Sequence, residues 1–397
     1  MESSFGEVAK LRLDAAIRSA RACFARRGDM LRSYDELLLA VRTRTSMLSR
    51  RAQSTPRSLD VALAVNGALA AFALHHRDWH RLPDTWRPLD DGWRRAIASL
   101  AEHLFALYPM PRFMTSAWLE GELGKVTAAQ DWYKLVGRGR SIREAAVPMP
   151  ITRAMAHRLS SVPVHLTTIA GLRWAQVASR GGGDDLARAV AETRLGRTLE
   201  HEDFWTTVID HFVRHADLDL AHVGPIVDFV HHQKLARRAP QPDFSMKGRT
   251  NASLLRLVEA WHRELGQHGG PSISWRRSRI GELYWLEKRD HDARAWTISE
   301  IVASEDLVAE GRAMRHCVAT YLEPCVQRRR SIWTMRVETE RGVRRVLTIE
   351  VDLGARRVLQ ARRKCNALPG ETEREVLARW AAREGLALTE GLRASAR

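Results

Sequence analysis

The spacing of apolar residues changes once along this chain, and that change limits the fold more than any other feature. Up to about residue 265, apolar side chains recur three and four apart, the repeat of a helix with one buried stripe. Between 332 and 364 they alternate every second residue, the repeat of a strand with one buried face. The order predicts a mostly α chain with a C-terminal α+β unit, in which a helical N-terminal region precedes an antiparallel helix–three-strand–helix module.

Helical patterns cover 8–26, 33–48, 59–74, 91–107, 153–159, 164–179, 184–193 and 204–215. Pro83, Pro109-Met110-Pro111, Pro148-Met149-Pro150 and Gly181-Gly182-Gly183 punctuate them. A basic connector, 50–57, and a basic linker, 236–250, interrupt the helical reading; a helix over 252–265 and strand and turn over 272–296 follow. The division expected is an N-terminal helical segment (1–58), a Trp-rich helical domain (59–235), a linker and helix (236–271) and an α+β domain (272–397). Trp79, Trp86, Trp93, Trp118, Trp132, Trp174 and Trp205 keep no fixed period, which argues for core anchors rather than a solenoid repeat.

Composition narrows the function classes. No run of about 18 apolar residues occurs, so no membrane span is expected. The N-terminal Met1-Glu2-Ser3-Ser4-Phe5-Gly6-Glu7 lacks the apolar core of a secretory signal. Four cysteines are too few for a disulfide framework, and a cytoplasmic setting is expected. The net charge of +16 points to a polyanionic partner, DNA or RNA. Only seven of the 63 basic residues are Lys, which leaves 56 Arg; this lopsided ratio also fits a GC-rich genome. Arg suits phosphate because its planar fork reaches two oxygens at once.

In the C-terminal unit Ser304 is expected to cap a helix with Glu305 and Asp306 in its first turn. Leu307, Gly311, Met314, Val318 and Tyr321 form one stripe if that helix runs on to Pro324. His316 and Cys317 then point about 100° apart, so the histidine is badly placed to deprotonate its neighbour. In the strands, Trp333, Met335, Val337, Leu347, Ile349, Val351, Leu359 and Ala361 are expected on the core face. Thr334, Arg336, Thr348, Glu350, Gln360 and Arg362 fall on the other. A closing helix over 372–383 carries Val376, Leu377 and Trp380.

A cysteine-dependent site would use Cys317 as nucleophile with His316, Glu350, Gln360 and Asn366 as base, orienting groups or oxyanion donors. The bland reading is a small apolar Cys packed at a helix edge. Zinc ligation by His316, Cys317, Cys325 and Cys365 has no CxxC spacing behind it, and His211 and His215 lack the Glu of a zinc-protease helix, so no metal site is assigned. No motif names a cofactor. Nucleic-acid candidates are Arg328, Arg329, Arg330, Arg344, Arg345, Arg356, Arg357, Arg362, Arg363 and Lys364, set against nearby Glu338, Glu340, Glu371, Glu373 and Glu375.

Glu310-Gly311, Met314, His316-Cys317-Val318, Tyr321, Thr348-Ile349-Glu350, Gln360 and Asn366, in this order, resemble the C-terminal core of the PcfJ family. That family is found in plasmids, phages and bacterial chromosomes and has no settled activity. The resemblance covers roughly 296–388. Arg363 stands where the family pattern has Gly, so any tight turn or close ligand approach which that Gly serves is altered here. The resemblance implies an accessory protein of mobile-element origin, with a protein encoded by the same element as a candidate partner; nucleic-acid contact is expected from the Arg clusters. A cysteine enzyme and a structural adaptor are the alternatives.

Overall fold

Helices occupy the first half because nearly every apolar stripe there finds another to cover it. The computed structural model describes residues 2–49, 56–88, 92–120, 123–215, 217–267, 273–289, 292–315, 318–389 and 392. The chain divides into two compact units, Met1–Ala175 and Gln176–Leu392.

The first unit holds α1 (Glu2–Phe24), α2 (Gly28–Arg44), α3 (Pro56–Leu74), α4 (Trp93–Phe105), α5 (Ala128–Gly137) and α6 (Arg153–Arg158), and α7 (Thr168–Ser179) begins in it. On α4, Trp93, Ala96, Ile97, Leu100, Ala101, Leu104 and Phe105 are all buried, the stripe that the three-and-four spacing dictates. Trp118 anchors the unit, stacked on Phe105 at 4.4 Å and edge-on to Phe72 and Tyr133 at 5.1 and 5.4 Å. Trp86, Trp93, Trp132 and Trp174 are buried as well, which removes their faces from use as stacking platforms for bases.

In the second unit α8 (Asp184–Ala191), α9 (Glu202–Arg214), α10 (Val223–Lys234) and α11 (Asn251–Gln267) precede the sheet. The segment 236–250 is irregular yet anchored: buried Phe244 sits edge-on to Phe229 at 5.8 Å, with the Arg249 guanidinium over its ring. Six strands follow in sequence order, β1 (Leu283–Arg289), β2 (Asp292–Ile301), β3 (Arg330–Thr339), β4 (Gly342–Asp352), β5 (Arg357–Arg362) and β6 (Ala387–Leu388). Neighbours pair antiparallel except β5 with β6, which are parallel. The three expected strands are β3, β4 and β5, and the sheet continues past them on both sides. Between β2 and β3 lie α12 (Ser304–Met314) and α13 (Leu322–Val326), and α14 (Glu371–Glu384) precedes β6.

One sheet face packs on α14. Trp333, Met335, Leu347, Ile349, Val351 and Ala361 share a core with Val376, Leu377 and Trp380, and the Trp333 and Trp380 rings lie 4.8 Å apart. Val358 joins this core where Leu359 was expected. Glu350 pairs with Gln360 but Val351 with Val358, so Leu359 is an extra residue in β5 and the alternation inverts there.

The helix expected to run to Pro324 stops at Met314, because Arg315 takes a left-handed conformation (φ 53°). Its buried residues are Leu307, Glu310 and Met314, so Glu310 and not Gly311 faces inward. Ser304 is the first helical residue rather than the cap, and its hydroxyl accepts from the Ile273 amide instead. A 3₁₀ turn, Val318–Tyr321, follows. Val318 packs with Ile301, Leu307, Cys325 and Ile332 in a second small core.

Candidate functional site

Antiparallel sheets commonly leave one face to water. Here the second face carries Thr334, Thr348 and Glu350, all buried. At its centre Glu350 on β4 stands opposite Gln360 on β5. Gln360 Nε2 donates to Glu350 Oε2 at 2.6 Å and to the Tyr321 hydroxyl at 3.0 Å. Tyr321 donates in turn to Glu350 Oε2 at 3.0 Å, and Arg330 Nε lies 3.2 Å from Glu350 Oε1. Arg330 also pairs with Asp352. Burial, and then the Glu350 charge, hold the Tyr321 phenol above its ordinary range, so it serves as a neutral donor.

A second polar knot adjoins the first. Glu310, on the inward face of α12, accepts from Thr348 Oγ1 at 2.8 Å and pairs with Arg345 Nε at 3.1 Å. Burial raises its carboxyl pKa, against the lowering pull of Thr348, Thr334, Arg345 and Arg336. Glu350 and Glu310 thus tie β3, β4 and β5 to α12 and the 318–321 turn through charged hydrogen bonds.

Residues far upstream complete the site. Asp228 on α10 accepts from Arg194 Nε at 3.0 Å and from Asn366 Nδ2 at 3.3 Å. Asn366 follows Cys365, and both have positive φ (62° and 59°), a conformation that Asn tolerates better than Cys. Gly224 on α10 faces it closely: a Cβ there would stand 2.9 Å from Asn366 Nδ2. Glu192, Arg194, Arg197, Asp228, Tyr321, Glu350, Gln360, Arg362 and Asn366 line one cavity of ≈ 50 Å³, together with Thr348 and Val318.

Of the expected catalytic set, Glu350, Gln360 and Asn366 therefore share one pocket, though Asn366 bonds Asp228 rather than the Glu350 cluster. His316 and Cys317 lie outside the described residues. The geometric objection to that pair assumed a continuous helix, and α12 ends before them. Cys325 is buried in the small core, where burial first and then Glu300 and Glu350 push its thiol up to about 12. His211 and His215 stack at 4.1 Å, with His211 Nε2 bonded to Asn251 and His215 Nδ1 to the His211 carbonyl. Among the described residues no group of three or more His, Cys, Asp or Glu is arranged to hold a metal.

The arginine clusters separate. Arg330 is taken up by Glu350 and Asp352, and Arg356 donates to the Glu384 carbonyl. Arg328, Arg329 and Arg357 line neither this cavity nor the groove, and Arg362 turns into the cavity. Arg344, Arg345, Arg363 and Lys364 instead line a single groove of ≈ 650 Å³ with Arg336, and no acidic residue lines it. Arg344 continues into a neighbouring depression beside Arg294 and Arg341.

Sequence reading missed Glu192, Arg194, Arg197, Gly224 and Asp228. No local signal marks them, since Asp228 and Asn366 are 138 residues apart.

The fold and the buried polar face define an α+β module built on a meandering sheet. Residues 293–377 match the family model described as PcfJ-like protein, so this segment is similar to that family, as its motif residues implied. No curated protein and no solved structure matches the chain. Among the described residues no helix is long and apolar enough to cross a membrane.

Proposed function

We propose that this is a PcfJ-like accessory protein of mobile-element origin whose C-terminal unit contacts the sugar-phosphate backbone of DNA or RNA. The observation that carries the reading is the groove in which Arg336, Arg344, Arg345, Arg363 and Lys364 converge; no carboxylate lines it, and those behind it, Glu310 and Glu373, pair with Arg345 and Arg363. These side chains come from β3, β4 and the turn after β5, so folding gathers charges that the sequence disperses. Arg344, Arg363 and Lys364 are exposed, which suits contacts that exchange counterions for phosphates. No base-reading element enters into the proposal, so the binding is backbone contact with little sequence preference. The test is affinity for duplex and single-stranded oligonucleotides against salt. Log K should fall linearly with log salt, and Arg344→Ala should shallow the slope by about one unit. Binding that is absent or insensitive to salt refutes the reading.

A second reading, a cysteine-dependent enzyme using Cys317 with His316, is favoured by one observation. Val318, the residue after Cys317, lines the pocket that also holds Glu350, Gln360 and Asn366. Alkylation of Cys317 followed against pH, with a His316→Ala control, tests it. Rapid reaction below the free-thiol pKa, lost in the control, supports it; slow reaction that needs unfolding removes it.

A further inference from the structure

The cavity beneath Tyr321 contains a charge that its own walls leave unanswered. Arg362 is half-buried, yet among the described residues its one hydrogen bond is a long one, 3.4 Å, to the Asn366 carbonyl, and no carboxylate pairs with it. The other charged walls are engaged. Asp228 holds Arg194 and Asn366, and Glu350 is occupied by Arg330, Tyr321 and Gln360. What faces Arg362 is a second guanidinium, Arg197, together with Glu192 and, with less effect, Asp228. Burial raises the Glu192 carboxyl pKa, against the lowering pull of Arg362 and Arg188. Burial, and then the like charge of Arg197, bring the Arg362 pKa down to about 10. Arg194, Arg197 and Arg362 share this cavity with Glu192, Asp228 and Glu350; since Asp228 and Glu350 are engaged elsewhere, the Arg197–Arg362 pair is the part of it that suits a compact anion. Arg197 is the exposed member and marks the mouth. At ≈ 50 Å³ the cavity has room for a few waters or for one tetrahedral group.

We propose that this cavity binds one phosphate group between Arg197 and Arg362, at a site separate from the cationic groove. One neutral donor is at hand in the second amide N–H of Asn366, whose first goes to Asp228, and a phosphate completes the coordination that Arg362 lacks. The same chemistry fits inorganic phosphate or the terminal phosphate of a nucleic-acid strand. The neighbouring residues Arg362 and Arg363 line the cavity and the groove respectively, so the two sites adjoin at this point of the chain.

Equilibrium dialysis of the full chain with radiolabelled inorganic phosphate, at constant ionic strength, tests the site. One equivalent should bind. Arg197→Ala, an exposed substitution that leaves the fold intact, should weaken it about tenfold or more, the worth of one charge-assisted contact. Arg344→Ala should leave phosphate binding unchanged while reducing oligonucleotide affinity, which separates this site from the groove. A 5′-phosphorylated oligonucleotide that displaces phosphate while its unphosphorylated twin does not identifies a strand end as the ligand. Displacement by neither identifies free phosphate. Absent binding, full binding in Arg197→Ala, loss in Arg344→Ala, or equal displacement by both oligonucleotides overturns the proposal.

Discussion

Gln360 Nε2 reaches Glu350 Oε2 at 2.6 Å directly across the β4–β5 ladder, and the same amide holds the Tyr321 hydroxyl at 3.0 Å. One carboxylate therefore fixes two strands, the 318–321 turn and, through Arg330, the start of β3. Removing it takes the acceptor from Gln360 and Tyr321 in a buried layer and leaves Arg330 only Asp352. Glu350→Ala is expected to destabilise the second unit by about 3–5 kcal/mol, the cost of breaking a buried ion pair from one side. Tyr321→Phe removes one hydrogen bond of the cluster and should cost about 1–3 kcal/mol. Denaturant unfolding, followed by a probe in the sheet unit, measures both. Equal costs for the two variants, or a cost under about 1 kcal/mol for Glu350→Ala, would show that water replaces the cluster freely.

Glu310 gives the second unit a pH signature. Burial holds its carboxyl above the ordinary 4.5, so between that value and the folded-state value the fold binds more protons than the unfolded chain. Its contribution to stability is fullest below 4.5 and declines as pH rises through the folded-state value. Glu310→Gln keeps an acceptor for Thr348 and cannot titrate. The stability of the parent minus that of Glu310→Gln should therefore fall as pH increases from about 4 to about 7. A flat or rising difference contradicts the burial argument.

The helical half and the two sheet faces were legible because three-and-four spacing and strict alternation are imposed by burial. Thr348, Glu350 and Gln360 were placed on the right face for that reason. Leu359 was misplaced because a bulge adds one residue without changing composition, and nothing in Leu359-Gln360 marks it. The break at Arg315 was equally silent: a left-handed residue usually announces itself as Gly or Asn, and here it is Arg. Arg194, Arg197 and Asp228 were out of reach for a different cause. They join the site through tertiary packing, which no local pattern encodes.

Thiol reactivity should divide by burial. Cys325, 1% exposed and with its pKa pushed up to about 12, is expected to resist alkylation in the folded chain. At pH 8 its thiolate fraction should lie roughly a thousandfold below that of an ordinary cysteine. Among the described cysteines Cys23 is exposed and should label first, with half-buried Cys365 between them. Mass-spectrometric mapping after timed iodoacetamide exposure decides the order, and Cys325 labelling as fast as Cys23 would falsify the buried placement.

Trp380 is fully buried on α14 and donates from Nε1 to the Gly281 carbonyl at 2.7 Å while packing on Trp333. Trp380→Ala is expected to cost about 3–5 kcal/mol through the cavity it leaves. Trp380→Phe keeps most of the volume but orphans the carbonyl, so it should cost less. Both variants lose the hydrogen bond, so thermal melts isolate the packing; equal costs would mean that the lost hydrogen bond and not the packing dominates.

Gly224 and Asn366 should be energetically coupled although they lie on separate elements. A methyl group at Gly224 would press on Asn366 Nδ2 at 2.9 Å and on its Cβ at 3.1 Å, pushing the amide off Asp228. Gly224→Ala alone is therefore expected to destabilise despite the helix preference for Ala, which by itself would gain about 1 kcal/mol. Asn366→Gly removes the obstructing side chain and keeps the positive φ that residue 366 adopts. In that background Gly224→Ala should cost less, with a coupling of about 0.5–3 kcal/mol in a double-mutant cycle. Strict additivity would mean that α10 and the turn after β5 yield independently. The polar cavity would then lose the rigid wall that positions Arg362 beside Arg197.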